Sequence, residues 1–100
     1  MPNPSIKFHE LAREEIATAY LYYEREKQGL GDLFLTSIEN LLDRIGDNPR
    51  QFPVEFEEAR KAMVSTFPFI IIFTIIQEEI FIVSIFHTSQ NPSTWQKRIQ

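Results

Sequence analysis

The stretch FPFIIIFTIIQEEIFIVSIFH, residues 67–87, constrains this chain more than any other, because two strongly apolar runs must be hidden and only Gln77, Glu78 and Glu79 interrupt them. A membrane-spanning helix needs about 20 consecutive apolar residues. Neither run approaches that length, and two carboxylates at a bilayer centre carry a steep desolvation cost, so the segment reads against a membrane span. Ile, Phe, Val and Thr suit a pleated surface, and Pro68 stands near the start of the first run, where strands tolerate it. The expectation is two antiparallel strands joined at Gln77-Glu78-Glu79. That joint lacks the Asn-Gly or Gly signal of a tight hairpin, which leaves its turn type open. Along the first of these strands Phe69, Ile71, Phe73 and Ile75 point one way and Ile70, Ile72 and Ile76 the other. Runs of this kind belong to strands covered on both faces.

The rest of the chain offers one cover. Ile6 and Phe8, two apart within residues 4–9, suit a short strand. From Glu10 the period changes: Ala12, Ile16, Ala19, Tyr20 and Tyr23 fall on one stripe of a helix running to about Lys27. After Gln28 and Gly29 a second stripe follows in Leu30, Phe34, Ile38, Leu41, Leu42 and Ile45, with Gly46 placed as a C-terminal cap and Pro49 preventing resumption. Two such helices joined by so few residues pack as an antiparallel hairpin, which covers one sheet face. The other face must be covered by chain termini, by a second copy or by a partner. Pro49 and Pro53 mark a loop, residues 59–66 (ARKAMVST) read as another strand, and Pro92 opens a short helix through Arg98. The order is strand, helix, helix, three strands and a short helix, an α+β arrangement in one domain of 100 residues.

Composition narrows the function classes. The chain has no cysteine, which excludes a disulfide framework, a thiol nucleophile and cysteine-ligated metal. The opening MPNPSIKFHE has no apolar stretch long enough for a signal peptide, so a cytoplasmic protein is expected. The net charge of −4 argues against strong nucleic-acid binding, yet it is unevenly spread: residues 1–58 carry twelve acidic and six basic side chains, whereas residues 59–100 carry four basic (Arg60, Lys61, Lys97, Arg98) and two acidic. An anion-binding surface therefore belongs to the second half. His9 and His87, far apart and without a paired carboxylate motif, make a poor metal site.

The segment YYEREKQGLGDLFLTSIENLLDRIGDNPRQFP, the strand RKAMVSTFPF and the closing loop HTSQNPSTWQKR, taken in order, resemble the RelE/ParE superfamily of bacterial toxins from type II toxin-antitoxin systems. The resemblance rests on the Gly-Leu-Gly helix joint, an arginine-bearing strand before a Phe-Pro-aromatic step, and a histidine followed by a proline, a tryptophan and a basic residue. It implies a RelE/ParE-like fold, an antiparallel-rich sheet with a two-helix hairpin on one face and a short C-terminal helix. It also implies a growth-inhibiting, plasmid-stabilising toxin neutralised by a cognate antitoxin, alone or in a homo-oligomer or toxin-antitoxin hetero-oligomer. Members divide into ribosome-dependent mRNA endonucleases and gyrase poisons. Many relatives carry an arginine where this chain has Gln90, and many are basic where it is acidic. Both departures point away from RNA cleavage, towards another target or a toxin without potency that keeps its antitoxin-binding surface.

Metal-free cleavage of RNA needs a base for the 2′-hydroxyl, an acid for the leaving oxygen and cations for the charged transition state, with no cofactor. Arg60, His87 and Arg98 are the catalytic candidates, since a histidine can serve as acid or base near neutral pH and Arg60 offers a fork for two phosphate oxygens. Lys61, Gln90, Trp95 and Lys97 are the binding candidates, Trp95 by stacking on a base or a cation. The bland alternatives are a histidine bonded to backbone at a strand end, an Arg60 ion pair with Glu55, Glu57 or Glu58, and a Trp95 that anchors the terminal helix.

Overall fold

The structure, a computed structural model, describes residues 6–99. The chain runs β1 (Ile6–Phe8), α1 (Glu10–Glu26), α2 (Leu30–Asp47), a 3-10 turn (Pro49–Gln51), β2 (Val54–Phe56), β3 (Ala59–Met63), β4 (Phe69–Ile76), β5 (Glu79–His87) and α3 (Ser93–Gln96). The five strands form one sheet in the order β1-β5-β4-β3-β2. β1 lies parallel to β5 and the other neighbours are antiparallel. Pro4 and Ser5, included in the expected first strand, lie outside the described residues.

The helix hairpin turns where expected, and its joint is built from one carboxylate. Gly29 takes a left-handed φ of 90°, and Glu24 accepts from the N–H groups of both Gly29 (2.9 Å) and Gly31 (3.0 Å). A residue of α1 thereby caps the otherwise unpaired first turn of α2. A side chain at Gly31 would meet the Tyr20 ring and the Glu24 carboxylate at 2.8 Å, so this position admits only glycine without displacement. The far end of α2 differs from expectation: Gly46 lies inside the last turn, and the helix continues to Asp47 and ends at Asn48, whose N–H donates to Arg44. No left-handed residue is needed there because Pro49 stops the helix and opens the 3-10 turn.

Where a loop was expected after Pro53, the short edge strand β2 pairs with β3, Phe56 opposite Ala59. Glu57, at φ 53°, supplies the left-handed step that reverses the chain. The β4–β5 joint proves to be a two-residue turn with Gln77 at φ 51° and Glu78 at φ 66°, between Ile76 and Glu79. Two consecutive left-handed residues match the primed turns that suit strand twist, at a conformational cost that Asn-Gly would lower.

The alternation along β4 is as expected, and it divides the interior in two. Phe69, Ile71 and Phe73 join Phe34, Ile38, Leu41 and Ile45 of α2 in the larger core. Ile72 joins Ala59, Val83, Phe86 and Trp95 in a second core on the opposite face, with Phe56, Ile70 and Ile99 against it. The chain's own C-terminal segment thus covers much of the face for which termini, a copy or a partner were the alternatives. Ile76 remains 53% exposed. A bulge breaks the β4–β5 register: Ile72 faces Ser84 and Phe73 faces Ile82, leaving Val83 as the extra residue that bends the strand.

Candidate functional site

α1 carries two stripes. Ala12 and Ala19 point into the larger core, whereas Leu11, Glu15, Thr18 and Tyr22, one helix face by their spacing, border a groove of about 720 Å³. Its other wall comes from Pro68, Phe69, Ile85, His87, Ser89 and Gln90, and Arg98 reaches it from beyond α3. Leu11 is 42% and Tyr22 57% exposed, so the rim is apolar and open. Tyr23, edge-on to Phe67 and Phe69, has its hydroxyl pKa raised by burial and by Tyr22.

One end of the groove is closed by a polar network. Arg98 meets Glu15 in a two-pronged pair, 3.1 Å and 3.0 Å, and also donates to the carbonyl of the bulge residue Val83 at 2.9 Å. The same Glu15 accepts from the Ser84 hydroxyl and the Ile85 N–H, both at 3.0 Å. β1 ends at Phe8 opposite Ile82, so beyond that point β5 has no strand on its outer side, while β4 continues along the inner one. The ion pair occupies the vacant lane and satisfies the backbone groups that an edge strand would leave open.

His87 stands at the end of β5 with its ring edge-on to Phe69 at 5.0 Å. Its Nδ1 accepts from the Ser89 N–H at 3.0 Å and lies 2.8 Å from the Ser89 hydroxyl. In the neutral ring that bond places the proton on Nε2. Gln90 accepts from the His87 N–H at 3.2 Å, so its side chain closes the 87–90 loop.

The remaining candidates lie elsewhere. Arg60 donates through one Nη to the Phe52 carbonyl (2.6 Å) and the Arg50 carbonyl (3.3 Å), and forms none of the anticipated ion pairs. Lys61 takes one of those carboxylates instead, Glu55 at 3.2 Å, and belongs to the opposite sheet face from Arg60 by alternation. Trp95, 2% exposed, packs edge-on to Phe56 and Phe86. Lys97 is exposed. Arg60 pairs with Phe73 and His87 with Phe69, on opposite sides of β4; at about 3.3 Å per residue and 4.8 Å per strand their backbones are roughly 16 Å apart. The groove therefore unites His87, Gln90 and Arg98 and leaves Arg60, Lys61, Trp95 and Lys97 outside. Leu11, Glu15, Thr18, Tyr22 and Ser89 escaped the sequence reading. Leu11 and Tyr22 on a second face of α1 were the one available signal, since nothing in the order of residues announces that position 15 meets position 98.

Comparison with known proteins agrees with this architecture. Residues 6–92 match the family model of the ParE toxin of type II toxin-antitoxin systems, parDE. A structure of a chromosomal ParDE toxin-antitoxin system from P. aeruginosa superposes with a TM-score of 0.75 at 18% identity, covering 84% of this chain and 95% of that one. A doubly substituted E. coli toxin RelE in the free state superposes with a TM-score of 0.69 at 18% identity, covering 95% and 96%. No curated protein sequence matches the chain. The family match spans both helices and all five strands, and by it the chain belongs to the ParE toxin family of type II toxin-antitoxin systems.

Proposed function

We propose that the free protein arrests growth from the cytoplasm, that its cognate antitoxin silences it by laying an amphipathic segment in the α1–β5 groove, and that it acts on DNA gyrase and not on ribosome-bound message. The observation that carries the antitoxin reading is the open apolar rim of Leu11, Tyr22 and Pro68 over a volume fit for side-chain anchors. Among the described residues no helix is long and apolar enough to cross a membrane, which accords with a cytoplasmic site of action. Supporting the target reading, Arg60 and His87 stand on opposite sides of β4 and Arg98 is engaged by Glu15. General acid–base cleavage requires its groups within hydrogen-bond reach of one scissile phosphate.

Tightly induced expression tests this. Wild type should reduce colony survival, with supercoiling activity failing before translation. Leu11→Asp/Tyr22→Asp should still arrest growth but escape rescue by co-expressed antitoxin. Arg60→Ala, if soluble and folded, separates the rival: cleavage fragments of message in wild-type cells that vanish in this variant would establish an mRNA endonuclease with Arg60 in its site. Survival with wild type, despite soluble protein that still binds antitoxin, would mark a non-toxic binding module.

A further inference from the structure

Outside the groove, three arginines are tied to the segment that follows α2: Arg44 from the helix, Arg50 from the 3-10 turn and Arg60 from β3. Arg60 is tethered by one nitrogen to the Phe52 and Arg50 carbonyls. Arg44 lies over the Phe52 ring, 5.5 Å from its centroid. Arg50, whose carbonyl holds Arg60, turns its own side chain to Glu78 at 3.3 Å, with the two side chains 55% and 82% exposed. An exposed pair of this kind holds weakly and exchanges readily. The corner thus concentrates positive charge on a chain whose net charge is −4, and packing and backbone contacts order two of the three groups in advance, which lowers the entropy cost of binding.

The surroundings decide what the corner fits. Glu57 and Glu58 lie in the β2–β3 turn, and Glu78 in the β4–β5 turn is followed by Glu79 at the start of β5. A nucleic-acid strand with a charge at every step would leave the three arginines and run onto these carboxylates. A short acidic segment would not. Val54, paired with Arg60 across β2–β3 and 53% exposed, adds an apolar contact beside the cations. We propose that this corner is a docking site for a short acidic polypeptide segment, two or three carboxylates beside an apolar side chain, separate from the antitoxin groove. The site does not rest on the toxin reading.

The test is fluorescence anisotropy of the full chain with a labelled decapeptide of core Asp-Glu-Leu-Asp-Glu. Binding is expected in low salt and should weaken at least about tenfold by about 0.3 M salt, where screening is strong. Arg44→Glu/Arg50→Glu, with folding confirmed by its melting curve, should weaken binding at least about tenfold. Arg25→Glu/Lys27→Glu, which makes the same change in net charge at the helix joint, should stay within about twofold. Three results would each overturn the proposal: no binding of the peptide in low salt, equal losses in the two double variants, or tighter binding of a short single-stranded RNA than of the peptide. Failure here with growth arrest intact would leave the toxin reading standing, and the converse would leave the docking site standing.

Discussion

The two faces of the central sheet are built from the same strands yet are held in different ways. The helix face buries a continuous aromatic and aliphatic core, with Phe34 stacked among Tyr23, Phe67 and Phe69 at ring separations of 5.2–5.4 Å. Geometry such as this adds to the area buried. The opposite face is covered by a helix of four residues, too short to be stable alone, and its hold depends on Trp95 within and the Arg98–Glu15 pair at the edge. One face is secured by packing along two long helices, the other by one aromatic anchor and one ionic clasp. A strand run that is apolar on both sides therefore does not imply equal covers.

That contrast can be broken at several points. Phe73→Ala, at a fully buried position of the larger core, should cost about 3–5 kcal/mol as a large-to-small change, read as a lower midpoint in urea. Arg98→Ala leaves the Glu15 carboxylate facing Ser84 and Ile85 without its cation, its side chain only 23% exposed. A loss of about 2 kcal/mol is expected, below the range for fully buried pairs, and amide exchange should rise at Ile85 while α2 stays protected. Glu15→Gln keeps an acceptor for Ser84 and Ile85 but removes the charge, so it should cost about 1 kcal/mol; a cost equal to that of Arg98→Ala would show that the charge carries the whole effect.

The smallest effect concerns alkaline pH. Tyr20 has its pKa raised by the carboxylates of Asp32 and Glu24 and then by burial, and Tyr23 by burial and then Tyr22. The folded state thus favours the protonated phenols. Their contribution is complete below the unfolded value near 10 and is lost as pH rises through the folded values, so melting temperature should fall above about pH 10. Tyr20→Phe and Tyr23→Phe should flatten that decline. An unchanged decline in both would assign it to other groups.

Much of this architecture was legible in the order of residues, because it follows from periodicity: the stripes of both helices, their joint at Gly29 and the alternation along β4 all stand as read. Short-range features that depend on a single backbone angle were not. β2 is three residues long with a glutamate in its middle, and its existence depends on Glu57 turning left-handed. Gly46 looked like a cap because glycine so often is one, whereas Asn48 and Pro49 end the helix without it. The candidate site was half visible. Charge and residue type singled out His87, Gln90 and Arg98, but their common groove depends on the bulge at Val83 and on Glu15, whose hydrogen bonds span 69, 70 and 83 positions. The same distance in sequence concealed that Arg60 and His87 would be separated by β4.

The Glu15–Arg98 clasp also sets an order in time. Its two ends are 83 positions apart, and ribosomes add about 5–20 residues per second. Residue 15 therefore waits roughly 4–17 s for its counter-ion, and during that interval the helix hairpin is made while Arg98 and Trp95 are still to come. The nascent protein passes through a stage in which the first core is able to form and the second sheet face is bare, so that face is covered only once the segment carrying Trp95 and Arg98 has been made.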